Sequence, residues 1–517
     1  MKSILAALVL ASCTSPAWSL NIAIYHTSDV HGWYSSRPAK WDKENSTRTI
    51  GGFPALAALV EADKTPHILL DSGDTFQGTP EGNLSKGMAT VDLMNQLGYS
   101  ASAVGNHDYD YTEPNLRAMA AVSTFTWLGA NVYVRKTGLT PDYLKPYRLI
   151  DIAGKRIAVI GVSGRHTATS TLPANVKQLV FRSEADEAAR WTRAVAKFKP
   201  DAIIILAHIG LSGSLGGQKL DVSTWTFTGA DAEYGTLSIA RAAKGATVVI
   251  GGHNHTGLLH GYLDKDSGVL LAESYYGLTD VSRINLEFDD ATGRLKGVSD
   301  ELIPLWTDKT GEDPAVAATI KVFSDRVEKE MGKVISKSAV DLGRSTTDLD
   351  SDIGNWFTDA MRRQAGADAA FQNTAGIRAE IKKGPLALRD IFQVMPFENT
   401  LVRLTMTGDQ VKRMLADNLR GGHAKMQLSG LTVKFREPPQ GPMEITLERS
   451  GKPVKPEDRL IVVTNNYLTT GGSGGKVFGE AEKSQDTMTP IRELLIKDVE
   501  EHPVTEVPAG GRIVRLE

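Results

Sequence analysis

The run "ASAVGNHDYD", residues 101–110, passes from small apolar residues straight into Gly105, Asn106, His107, Asp108 and Asp110. An apolar run of this kind reads as a strand, and a plain turn would be enough to end it. Here the turn instead holds an amide, an imidazole and carboxylates, which between them can bind a metal, donate a proton and orient the donor. The pattern recurs outward in both directions. "NIAIYHTSDVHG" (21–32), "HILLDSGD" (67–74), "RIAVIGVSG" (156–164), "AIIILAHIG" (202–210) and "ATVVIGGHNH" (246–255) are almost uninterrupted apolar runs that end in polar or glycine-rich turns. Such runs suit strands covered on both faces. Helical spacing fills the gaps in "GFPALAALVEADK" (52–64) and "SEADEAARWTRAVAKF" (183–198), so residues from about 20 to 315 read as one layered α/β domain.

Functional side chains collect beyond the carboxyl ends of strands in open α/β sheets, where loops converge on a rigid frame. Five such ends carry metal-type donors: Asp29 and His31, then Asp74, Asn106, His208, and finally His253 with His255. Any one of these alone reads as a turn, a cap or a satisfied histidine; their conjunction in one domain does not. His253 and His255, two apart on an extended segment, point the same way. Mixed imidazole, carboxylate and amide donors suit zinc, manganese or iron, and the lack of thiolate argues against a closed structural zinc site.

The segments "SDVHG" (28–32), "DSGD" (71–74), "GNHD" (105–108), "AHIG" (207–210) and "GGHNH" (251–255), in this order, resemble the motif set of the dimetal, calcineurin-like phosphoesterases. "GNHDYD" together with the later "NTAGIR" (373–378) resembles the 5'-nucleotidase branch, which includes UDP-sugar hydrolases and 2',3'-cyclic-nucleotide phosphodiesterases. The resemblance implies an α/β fold with an N-terminal four-layer β-sandwich flanked by helices and a C-terminal α/β specificity domain. It implies two divalent ions, Mn, Zn or similar. Asp29, His31, Asp74 and His255 would hold one, and Asp74, Asn106, His208 and His253 the other, with Asp74 bridging. His107 would be the hydrogen-bond donor or general acid and Asp110 the partner that orients it. His255 stands where some nucleotidases have an amide.

At 517 residues the chain exceeds a single core, since these stop growing at about 250–300 residues. The charged, helically spaced stretch within 316–340 reads as a linker helix, which the resemblance makes a hinge near 320–345. Residues 341–517 read as a second unit, α+β or α/β. There the resemblance gives Arg378 to phosphate, Asn373 to the base, and Phe397 and Tyr467 to the two faces of the base. Taken alone, both aromatics read as core packing and Arg378 as a surface charge beside Glu380. Two positions depart from the family: Thr347 where a further phosphate-clamping arginine is common, and Ser473 where an acid often holds the ribose hydroxyls.

Lysine and arginine (58) nearly balance aspartate and glutamate (61), so a nucleic-acid polymer is not the expected partner. Residues 1–19 have the pattern of an export signal, too short to span a bilayer. Its end offers either cleavage after Ser19 or a lipobox at 10–13 that would make Cys13, the only cysteine, a lipid anchor. The expectation is an exported protein, periplasmic or a surface lipoprotein, that releases phosphate from nucleoside 5'-monophosphates. The alternatives are a 2',3'-cyclic-nucleotide phosphodiesterase, a nucleotide-sugar pyrophosphatase, a protein phosphatase on the same scaffold, or a nucleotide-binding surface protein without catalysis.

Overall fold

The computed structural model describes residues 20–516 except 172, 230–232, 345–348, 398, 422–423 and 439–440. Positions 1–19, with Cys13 and Ser19, lie outside the described residues, and so does Thr347. The chain forms two compact units that divide between Phe323 and Ser324.

The first unit holds two six-stranded sheets. One runs in the order Leu295–Pro304, Asp280–Phe288, Leu20–Thr27, His67–Asp71, Ala101–Ala103, Thr126–Leu128, and the other Tyr262–Leu263, Leu270–Glu273, Val248–Gly251, Ala202–His208, Lys155–Ser163, Tyr147–Ile152. The central pairings are parallel, as between Leu20–Thr27 and His67–Asp71 or between Ala202–His208 and its neighbours. Antiparallel strands lie at three of the four edges, and Thr126–Leu128 at the fourth is parallel to Ala101–Ala103.

The unbroken apolar runs have a simple cause. Along Leu20–Thr27, Ile22 and Ile24 join a core shared by the two sheets, with Ile68, Leu70, Val159, Ile204 and Ile250. The alternate residues Ala23 and Tyr25 face a second core, with Phe53, Leu56 and Leu93. Strands buried on both faces cannot alternate apolar with polar. On the far face of the other sheet, Ile203, Ile205 and Val249 pack with Ala188 and Val195 of the helix Glu184–Ala196 and with Leu237 and Ile239 of the helix Gly235–Ala242. The layers are therefore helix, sheet, sheet, helix.

The helix Pro314–Met331 begins within the first unit, where Val316 and Ile320 are buried in its core. It stops before Gly332, and Val334–Ser338 is a strand paired with Gly384–Ala387, so within the stretch 316–340 the helix ends at Met331. The second unit has a five-stranded sheet in the order Met426–Ser429, Ala369–Asn373, Arg459–Asn465, Thr400–Thr407, Lys483–Pro490, and a four-stranded sheet that includes Thr432–Arg436 and Glu444–Arg449. The helices Asp352–Ala365 and Gly408–Leu419 bury apolar faces in its two cores. Among the described residues, no helix is long and apolar enough to cross a membrane.

Candidate metal centre

The five polar strand ends of the first unit converge. Asp29, Asp74, Asn106 and His208 are all buried, and His31, His253 and His255 are partly so. Asp29, His31, Asp74, His253 and His255 all have positive φ, between 49° and 71°, a region non-glycine residues rarely enter. Such strain persists where surrounding structure over-determines it, and it clusters at functional sites. Close backbone approach contributes as well. A Cβ on Gly105 would lie 2.2 Å from Asp74 Oδ1, and one on Gly252 would lie 2.2 Å from Ser28 Oγ.

Two of the imidazoles are oriented by their far nitrogens. His31 donates from Nδ1 to the Gln77 carbonyl at 2.6 Å, and His208 from Nδ1 to the Ser72 carbonyl at 2.7 Å. A carbonyl can only accept, so in each neutral ring Nε2 keeps its lone pair for the site. His31 Nε2 lies 3.0 Å from His255 Nε2, while His208 Nε2 lies 3.0 Å from Asp74 Oδ2 and 3.2 Å from Asn106 Oδ1. His255 Nε2 is 3.7 Å from Asp29 Oδ1, and His31 Nε2 is 3.9 Å from Asp74 Oδ2. Donor atoms that converge at such distances need a proton or a cation among them. Two imidazole nitrogens, each about 2.1 Å from one ion, sit about 3 Å apart at a right angle. The donor sets Asp29, His31, His255 and Asp29, Asp74, His208 each bring their ligand atoms within 4.8 Å of one another, so the residues fit a pair of divalent ions.

The electrostatics agree with that fit. Burial, and then the neighbouring His255, push His31 down to about 4; burial pushes His255 to about 4 and His253 well below its usual range. Neutral imidazole is the form that ligates. Burial opposes ionisation of Asp74, but His208, His107 and His31 outweigh it and hold the carboxyl well below the ordinary range. At His208, Asp74 and Asp29 outweigh burial and raise the imidazole to about 9, so an ion bound there displaces a proton.

His107 stands beside this cluster. Its Nδ1 is 2.6 Å from Asp110 Oδ2, and the other Asp110 oxygen accepts from Thr171 Oγ1 at 2.7 Å. Burial disfavours the imidazolium, yet Asp110, Asp74 and Asp108 overcome it and raise His107 to about 10.

Other residues also shape the site, although the sequence reading gave them no role of their own. Asp108, fully buried, accepts from the amides of Asp74, Thr75 and Gly105 and from the Thr75 hydroxyl, tying two of the loops together. Tyr276 stacks on His255 with ring centroids 4.7 Å apart. His166, beyond the strand Lys155–Ser163, stacks on His253 at 3.8 Å. The first had no signal separating it from a ligand; the other two each had a strand end as a hint, in "ESYYG" and "GVSGRH".

The four remaining predicted residues lie in the second unit. Asn373 is buried, and its Oδ1 accepts from Asn465 Nδ2 at 2.8 Å. Arg378 is exposed and donates from Nη1 to the Ala375 carbonyl. Phe397 and Tyr467 are 43% and 46% exposed, which excludes core packing for both. Their segments are neighbours: Leu401 pairs with Asn465, and Asn399 Nδ2 donates to Asn466 Oδ1 at 2.9 Å. Ser473 Oγ is 3.4 Å from the Tyr467 hydroxyl.

Comparison with known proteins places the two units in families. Residues 22–257 match the calcineurin-like phosphoesterases, and residues 333–480 match the 5'-nucleotidase C-terminal domain. The chain is 26% identical to the trifunctional nucleotide phosphoesterase protein YfkN of Bacillus subtilis over 90% of its own length, but spans only 33% of that protein. It is 27% identical to protein UshA of Escherichia coli, over 91% of this chain and 90% of the relative. Among solved structures, a 5'-nucleotidase precursor from Thermus thermophilus superposes with a TM-score of 0.60 at 26% identity, over 96% of this chain and 99% of that one.

Proposed function

Because this chain belongs to the 5'-nucleotidase family of calcineurin-like phosphoesterases, we propose that it hydrolyses nucleoside 5'-monophosphates to nucleoside and inorganic phosphate. The observation that carries this reading is the convergence of Asp29, His31, Asp74, Asn106, His208, His253 and His255 from five separate strand ends. Asp29, His31, Asp74 and His255 hold one ion in this reading; Asp74, Asn106, His208 and His253 hold the other. When bound, the ions supply a water acidified at neutral pH and positive charge against the phosphoryl oxygens.

The chain's own residues do the rest. His107, charged through Asp110 and Asp74, donates to the phosphoryl or the leaving oxygen. Asp110, steadied by Thr171, keeps the ring in that orientation. In the second unit Arg378 takes phosphate through its guanidinium, Asn373 meets the base, and Phe397 and Tyr467 stack on its faces. Their exposure supports this, because a stacking platform must be open to its ligand. The pattern of residues 1–19 supports export, with Cys13 as the candidate lipid carrier.

A second reading, hydrolysis of a 2',3'-cyclic nucleotide, is favoured by Ser473, which offers no carboxylate to free ribose hydroxyls; a nucleotide sugar is the other substrate class that the family resemblance implies. The test is turnover of AMP, 2',3'-cAMP and UDP-glucose by the chelated full chain after each metal is added back. Phosphate release from AMP, abolished by Asp74→Ala, is the expected result. Turnover confined to the cyclic nucleotide or the nucleotide sugar would move the assignment to the second reading. Binding without turnover of any of the three would make the chain a nucleotide-binding protein.

A further inference from the structure

A sixth strand end reaches the cluster. Beyond Lys155–Ser163 the chain turns through Gly164 and Arg165 to His166, whose ring lies against the Gly164 backbone; a Cβ there would fall 2.0 Å from His166 Cε1 and 2.4 Å from Nδ1. Glycine at 164 is thus what admits the ring to this position. The ring stacks on His253 with centroids 3.8 Å apart and planes 26° from parallel, and its centroid is 6.3 Å from that of His208. One ligand nitrogen from each of His166, His208 and His253 lies within 4.8 Å of the other two.

His166 Nε2 is buried, and among the described residues it has no hydrogen-bond partner. A buried nitrogen left unpaired is costly, and the face of a neighbouring imidazole offers it neither a proton nor a lone pair. A cation shared with His208 and His253 would satisfy it. The stacked pair also lines a cleft of about 270 Å³ with Arg165, Glu184 and Tyr234, so this side of the cluster is reachable from outside.

We infer that His166 is an additional ligand of the ion held by His208 and His253, giving this position three imidazoles beside Asp74 and Asn106, and that it biases the position toward zinc-like borderline cations over manganese. The inference rests on the dimetal reading above. Added imidazole donors favour zinc, cobalt, nickel and copper, whereas oxygen-rich sets suit magnesium and manganese.

The experiment is metal titration of the chelated full chain by calorimetry, with elemental analysis of bound zinc and manganese, for wild type, His166→Phe, His166→Ala and Asp74→Ala. Phenylalanine keeps a ring on His253 but removes both nitrogens. The expected result is two zinc ions on wild type, and on His166→Phe one of the two weakened about 10- to 100-fold or more, with manganese affinity changed far less. His166→Ala should behave alike, and serves if the phenylalanine variant does not fold. Zinc affinity at both positions unchanged in the variant that folds would overturn the inference while leaving the dimetal reading intact. Fewer than two ions on wild type, or both retained on Asp74→Ala, would instead count against the dimetal reading itself.

Discussion

His107 is held at Nδ1 by Asp110, and Asp110 in turn by Thr171, so a single edge of the imidazole, Nε2, is left to meet a ligand. The carboxylate on Nδ1 favours the imidazolium, the form a proton donor needs, whereas His31 and His208 give that nitrogen to carbonyls. His107→Ala should therefore lower kcat on AMP by roughly 10²- to 10⁴-fold while the bound metal stays unchanged. Steady-state kinetics and elemental analysis of the same preparations check both halves; loss of metal would make His107 a ligand. The residues of the site differ in how far they could be read in advance. Each of the seven expected ligands lies within a few residues of the end of an apolar run, where little else explains a cluster of donors. Asp108 lies in the same turn, but a carboxylate that serves backbone amides looks, in sequence, like one that serves an ion. Phe397 and Tyr467 carried no local signal at all, because an exposed aromatic and a core aromatic are the same letter; only the resemblance separated them.

Elements were legible where burial on both faces leaves an unbroken apolar run, as in Ile22–Tyr25 or Ile203–Leu206. The same property hid the partition of those strands between two sheets, since nothing in such a run distinguishes the face toward the other sheet from the face toward the helices. The antiparallel pair Asp280–Phe288 and Leu295–Pro304 lacks that signature for the opposite reason: its outer strand is mostly half-buried or exposed and carries Lys296, Asp300 and Glu301. Asp300 is the exception among these charged residues, a buried carboxyl that accepts from the Ser282 hydroxyl and whose second oxygen has no hydrogen-bond partner among the described residues. Burial pushes it up to about 7, against about 4 in an unfolded chain. Between those values the folded protein keeps a proton that the unfolded chain has released. The stabilisation is complete below about pH 4 and is lost as pH rises through 7. Asp300→Asn removes the titration and keeps an acceptor for Ser282. Denaturant unfolding at pH 5 and pH 8 should show wild type losing about 2–4 kcal/mol more than the variant across that interval; equal losses would mean that Asp300 ionises freely in the fold.

At the scale of the molecule, every core cluster is built from residues of one unit: three in the first, two in the second. Two units with separate cores should unfold as two calorimetric transitions, since multi-domain chains depart from a single two-state event. All seven expected metal ligands belong to the first unit, so bound ions stabilise that unit alone, by an amount that grows with the ratio of free ion to dissociation constant, about 2.7 kcal/mol at a hundredfold ratio. Chelation should therefore lower one midpoint and leave the other in place. Leu404→Ala identifies which is which, because Leu404 is 1% exposed in a core of the second unit and its truncation costs about 2–5 kcal/mol there. The transition shifted by Leu404→Ala should be the one that chelation leaves alone. If the same transition responded to both, the ions would be stabilising the second unit, and the strand-end cluster of the first could not be their principal site.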